Sequence, residues 1–252
     1  MLLELLGLPE TPFHQLLATT LGGMVFYFGV SGLSYLIFFV WGRSRFHPTY
    51  EANPEELAKQ RKWGALGVLG NAVLMVPFQM LVVGGHSQIY WDVGEHGWGW
   101  LVLSFVLYLT FTETCIYWIH RALHWGPLYE HLHSIHHEWR ATTSWVSMAF
   151  HPLDSFAQAL PHHLMIFLLP VHGGIYFVML TFVSVWSVII HDRVSLFRWN
   201  VVNYTGHHTL HHWYYDCNYG QFLTVWDRLM GTWRDPAVAA EKDPSIPEGL
   251  LR

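Results

Sequence analysis

Residues 97–124, GWGWLVLSFVLYLTFTETCIYWIHRALH, decide the fold. Residues 97–119 are long and apolar enough to cross a bilayer, which takes about 20 residues of helix. Their single charged residue is Glu113. The stretch runs into His120-Arg-Ala-Leu-His124, two histidines at i and i+4, which a helix projects from one face. A span that delivers a histidine pair to one membrane surface is thus the unit from which the rest is read. Residues 19–41 and 64–83 are equally apolar, and so are residues 163–190 apart from an interruption, LPVHGG, at 169–174. Proline and paired glycines break helices, so this last segment is expected to enter and return as a hairpin of two shorter helices.

The charges sort along the same lines. All thirteen Lys and Arg fall within 43–62, 121–140 or 193–252. The positive-inside rule then puts the 43–62 loop, the histidine boxes and the C-terminal region in the cytoplasm. The fold class expected is an all-α integral membrane protein with about four membrane-embedded helical segments, the last a broken hairpin, under a cytoplasmic helical cap. One domain is expected over 1–252, with the histidine-box region at 120–236 and a loosely ordered tail from 237. Hydrophobic residues make up 52% and charged residues 12% of the chain, about half the usual charge. A net charge of -5 and the lack of a basic stripe exclude a nucleic-acid partner. Cys115 and Cys217 offer neither a disulfide framework nor zinc-finger spacing. The first apolar stretch lacks signal-peptide features and is expected to be retained.

Two further boxes follow the first: His133-Ser-Ile-His136-His137 and His208-Thr-Leu-His211-His212. The i, i+3, i+4 spacing gathers three histidines on one side of each helix, and the topology brings all three boxes to one membrane face. Eight imidazoles exceed the four ligands of one zinc and suit two ions with open positions. Imidazole alone does not choose among iron, copper, nickel and zinc. The Glu and Glu-x-x-His pattern of carboxylate-bridged di-iron bundles is missing.

The three boxes resemble those of the fatty acid hydroxylase/sterol desaturase superfamily. Residues 139–163, WRATTSWVSMAFHPLDSFAQALPHH, and 203–236, NYTGHHTLHHWYYDCNYGQFLTVWDRLMGTWRDP, are similar to the matching stretches of its sterol C-5 desaturases. The resemblance covers about 115–236 and implies two iron ions, O2 and two electrons used to place a 5,6 double bond in a sterol ring. It also implies a ninth ligand, His191, and a functional role for the motif His151-Pro-Leu-Asp154, in which Asp154 orients a liganding imidazole; capping of a helix is the competing role. Glu113 continues the face of Tyr117, His120 and His124 and is read as a candidate to bond a ligand or a substrate hydroxyl, or as a buried neutral acid.

No haem, flavin, iron–sulfur or dinucleotide motif is present, so electrons must come from an external donor, a cytochrome b5-type protein or a ferredoxin with its reductase. An apolar substrate enters laterally from the lipid bilayer. A hydroxylase of a fatty acid, carotenoid or other lipid shares the boxes and stays open, as does a histidine-rich metal transporter or sensor. Zinc can also fill such sites in a purified sample. Ten arginines against three lysines lean towards a bacterial inner membrane, with the endoplasmic reticulum as the eukaryotic counterpart. His162 and His163 are expected at a membrane interface, His172 at the far tip of the hairpin, and His47 on the surface. Asp227-Arg228 and Trp233-Arg234 read as a local salt bridge and an interfacial anchor, with a dock for the electron donor as the alternative.

Overall fold

Thr11 opens the first long helix: its hydroxyl accepts the His14 backbone N–H at 3.4 Å, and Pro12 takes the position where a missing N–H does no harm. The computed structural model describes Leu3, residues 7–246 and Leu250. Helix α1, Pro12–Tyr35, continues through a π-helical turn, Leu36–Trp41. The same device starts α2, Pro54–Val83: the Asn53 side-chain oxygen accepts the N–H groups of Glu55 and Glu56, and Pro54 follows. Helix α3 is Gly97–Leu123, and beyond the second box come α4, Pro152–Leu168, and α5, Gly173–His191. Shorter helices complete the box end: α6, Thr205–Tyr214, α7, Val225–Leu229, and α8, Pro236–Lys242.

Among the described residues, four helices are long and apolar enough to span a membrane: Pro12–Trp41, α2, α3 and α5. Their outer faces carry Val25, Val102 and Phe177 at 63–75% exposure, an apolar surface that lipid covers. Each of the first three spans outruns the expected limits. The helix expected over 54–62 is continuous with α2, because Asn53 caps it there and no breaker follows. The hairpin is present, but its first arm starts at Pro152 rather than at 163. His151 and Pro152 form a start signal there, and Pro161 is accommodated within the helix. The start of the tail, expected to be loose, is helical in α8, where Asp235 accepts the Ala237 N–H at 2.9 Å. Residues 247–249 and 251–252 lie outside the described residues.

At the end away from the boxes, two short strands pair in parallel: β1, Ile89–Tyr90, against β2, Val171–His172. They tie the hairpin tip to the loop after α2. His172 lies here, accepting the Gly174 N–H at 3.1 Å as the cap of α5.

Close approach of α2 to its neighbours depends on small residues, as membrane helices generally require. A Cβ at Gly64 would lie 2.1 Å from the Tyr27 hydroxyl, and one at Gly67 2.6 Å from the Met148 carbonyl. The Tyr27 hydroxyl donates to the Trp145 carbonyl at 2.9 Å, and that of Ser144 to the Ser31 carbonyl at 2.9 Å. The irregular turn Ser144–Met148 thereby sits inside the bundle with protein partners in place of water, which lipid could not provide.

Candidate metal centre

Helix α3 carries His120 in its last turn and His124 at its C-cap. The second box departs from the regular helix that its spacing suggested: Tyr129–His133 is a π-helical turn and His136–Glu138 a 3-10 turn. Helix α5 ends on His191, and α6 presents His208, His211 and His212. These nine histidines form two groups. One holds His120, His124, His133, His137 and His211; the other holds His136, His191, His208 and His212. Within each group the donor nitrogens all lie within 4.8 Å of one another, and every member but the half-buried His124 is buried.

The second and third boxes are therefore shared between the groups rather than each gathered on one side, while both histidines of the first box lie in one group. His136 and His137 are neighbours in sequence but have rings at 86° and belong to different groups. On α6, His208 and His212 point one way and His211 the other.

The Nε2 atoms face one another: His133 to His137 at 3.1 Å, His137 to His211 at 3.0 Å, His191 to His136 at 3.3 Å, and His208 to His191 at 2.9 Å. On four of the nine the opposite ring nitrogen is engaged elsewhere, whereas Nδ1 of His136 and of His137 has no partner among the described residues. Nδ1–H of His120 donates to the Tyr219 carbonyl at 2.8 Å, that of His211 to the Cys217 carbonyl at 2.7 Å, and that of His191 to the Ser187 carbonyl at 2.5 Å. His133 Nδ1 lies 2.7 Å from Asp154 Oδ2, with both side chains wholly buried. Such partners fix the tautomer and leave Nε2 as the free donor, the usual outer shell of a metal-bound histidine.

Burial and the neighbouring imidazoles hold His136, His137, His208, His211 and His212 well below the ordinary histidine range, so all five are neutral. Nε2 of His120 and Nε2 of His124 are buried without a partner among the described residues. Lone pairs converging in a dry interior with nothing to accept from are what metal ions satisfy. The donor set therefore fits two ions, one per group.

The remaining predicted residues lie around the groups. Asp154, in the first turn of α4, holds His133 and accepts Gln158 Nε2 on its other oxygen at 2.7 Å. His151 lies outside both groups; its Nδ1 accepts the Leu153 N–H at 3.2 Å and caps α4. Glu113 also lies outside them, its carboxylate accepting the backbone N–H groups of Phe222 and Leu223 at 3.2 and 2.6 Å. His162 is buried beside Tyr108, and His163 Nδ1 lies 2.6 Å from the Tyr176 hydroxyl. His47 is buried rather than on the surface, stacked on Phe39 with its Nε2–H donating to the Asp192 carbonyl at 3.0 Å.

Asp227 makes no salt bridge with Arg228. It is fully buried and accepts the N–H groups of Tyr219 and Gly220, both at 2.8 Å, and so sets the Tyr219 carbonyl that holds His120. The carbonyls of Ser187, Cys217 and Tyr219 had no sequence signal, because every residue offers one.

A small cavity of about 40 Å³ reaches both groups, bounded by His120, His136, His191, His208, Phe150 and Gln158 among others. It adjoins a chamber of about 180 Å³ between α2, α4 and α5, the two sharing Phe150, Gln158, Ser187 and Gln221.

The sequence model of the fatty acid hydroxylase family matches residues 105–232. The chain is 41% identical over 223 residues to the Delta(7)-sterol 5(6)-desaturase of Eremothecium gossypii, covering 87% of this chain and 62% of that protein. It is 42% identical over 224 residues to the Delta(7)-sterol 5(6)-desaturase of Candida albicans, covering 86% and 56%. To the lathosterol oxidase of Rattus norvegicus it is 37% identical over 235 residues, covering 91% and 77%. The chain thus spans less than two thirds of the length of these two fungal relatives. No solved structure matches it. On the family match and the rat relative together, the chain belongs to the fatty acid hydroxylase family.

Proposed function

We propose that the protein is a membrane oxidase that converts a 7-ene sterol to the 5,7-diene. The observation that carries this is the pair of buried histidine groups opening on one cavity inside the bundle, in a chain whose relatives bear sterol 5(6)-desaturase and lathosterol oxidase names. In the overall reaction two hydrogens leave C-5 and C-6 and, with O2, two electrons and two protons, form two waters. Two iron ions, held by His120, His124, His133, His137 and His211 and by His136, His191, His208 and His212, supply the oxygen chemistry when bound.

The side chains have separate tasks. Neutral imidazoles are ready to ligate without first losing a proton. Asp154 and the carbonyls of Ser187, Cys217 and Tyr219 hold the Nδ1–H side and thereby aim Nε2. Phe150, stacked on His136 with ring centroids 4.0 Å apart, and Ile116 and Ile190 give the cavity dry walls. Glu113 anchors the segment that carries Gln221 to the cavity. The chamber is below the roughly 300 Å³ of the smaller ligand sites, so it receives the reacting end of the sterol and leaves the tail towards lipid.

The basic residues favour a cytoplasmic box face, where a separate cytochrome b5-type or ferredoxin donor delivers the electrons. Expression in a host lacking sterol C-5 desaturation tests the reading by sterol profiling. Restored 5,7-diene sterols are expected. A membrane-inserted, iron-loaded chain that yields hydroxylated lipid instead would replace desaturation with hydroxylation.

A further inference from the structure

The hydroxyl of a 3-hydroxysterol is three bonds from C-5. When C-5 and C-6 lie at the histidine groups, the hydroxyl lies inside the bundle, in the small cavity or the chamber it adjoins, rather than at the membrane surface. Burying it there unpaired would leave the hydroxyl stripped of water with nothing in return, so a polar group of the cavity wall has to receive it. Gln158 and Gln221 line both the small cavity and the chamber. Gln158 is the better defined of the two. It sits one turn after Asp154 on α4, and its amide faces an oxygen of Asp154 at 2.7 Å. The other Asp154 oxygen is engaged by His133. A carboxylate oxygen can only accept, so the amide must present nitrogen to Asp154, which leaves its oxygen free as an acceptor. That oxygen takes no hydrogen bond from any described residue.

Resting on the sterol reading above, we propose that Gln158 receives the 3-hydroxyl of the substrate and selects hydroxysterols over sterols lacking that group. The hydroxyl donates to Gln158 Oε1, and Asp154 keeps the amide from turning over. Because Asp154 also holds His133, recognition of the hydroxyl and placement of one histidine group depend on the same carboxylate.

The test uses the full iron-loaded chain with O2 and a reduced ferredoxin, and two substrates: a 7-ene 3β-hydroxysterol and the matching 7-ene lacking the hydroxyl. The ratio of their kcat/KM values does not depend on how much of a preparation is folded or metal-loaded. Wild type is expected to favour the hydroxysterol by about 10–100-fold, as one hydrogen bond to a buried acceptor allows. Gln158→Leu, close in shape but without an acceptor, is expected to bring the ratio within about threefold of one. Should Gln158→Leu lose its metal, displacement of a fluorescent sterol from the metal-free proteins reads the same ratio as relative affinities, with the same collapse expected. An unchanged ratio in Gln158→Leu overturns the proposal. Failure of the sterol reading looks different: wild type then forms a double bond in neither substrate, and the proposal falls with it.

Discussion

Asp154 Oδ2 lies 2.7 Å from His133 Nδ1, and neither side chain meets solvent. A carboxylate so placed fixes which ring nitrogen is free and makes that nitrogen a stronger donor. Asp154→Asn keeps the shape and removes the charge. The expected result is a loss of metal affinity of about 10–100-fold, read by competition with a chelator. Unchanged affinity would show that His133 is held by its backbone alone.

His136 and His137 differ by one position yet belong to different groups. Alanine at either should therefore empty one site of the two, and a different one each time. Anomalous scattering from crystals of each variant grown with iron distinguishes the sites. Loss of the same peak in both variants would contradict the division.

Glu113 accepts two backbone N–H groups from within a membrane span. Glu113→Leu leaves both unpaired and is expected to lower stability by about 2–6 kcal/mol, since each unpaired buried donor costs about 1–3 kcal/mol. Glu113→Gln retains an acceptor and should lose less than half as much. Denaturant unfolding in detergent compares them, and equal losses would point to a role for the charge itself.

His47 is lowered from 6.5 to about 4, first by burial and then by the nearby Arg193. Its folded form is neutral, so below pH 6.5 the unfolded chain takes up the extra proton. Stability from this group is intact above that value and declines as pH falls from about 6.5 towards 4. The Tm of wild type should therefore drop further between pH 7 and 5 than the Tm of His47→Phe. Equal drops would mean that His47 takes up its proton as readily in the fold as in the unfolded chain.

Much of the fold could be read because lipid punishes error. The helices need long apolar runs, and the basic residues mark one end of the molecule. The hairpin break at 169–174 was equally plain, since Pro170 and Gly173-Gly174 leave few options. The start of α4 was missed because its first turns, Pro152 to Leu160, mix polar and apolar residues and do not register as a span. The nine histidines found in the two groups are those named from the boxes and the family resemblance. Their division was not legible, because i, i+3, i+4 spacing places side chains on one broad face without saying which of two points each meets. The outer shell was half legible. Asp154 stands in a motif, whereas Asp227 acts through the backbone of Tyr219, a link that only the folded chain creates. His47 had no pattern to betray its burial.

The central claim is a two-iron centre that makes a double bond. Its most direct measurement is the iron content of the purified full chain, taken together with the product formed from a 7-ene sterol under O2 and a reduced donor. Two irons per chain and a 5,7-diene sterol are expected. A single ion per chain, or a hydroxysterol as the product, would contradict the account.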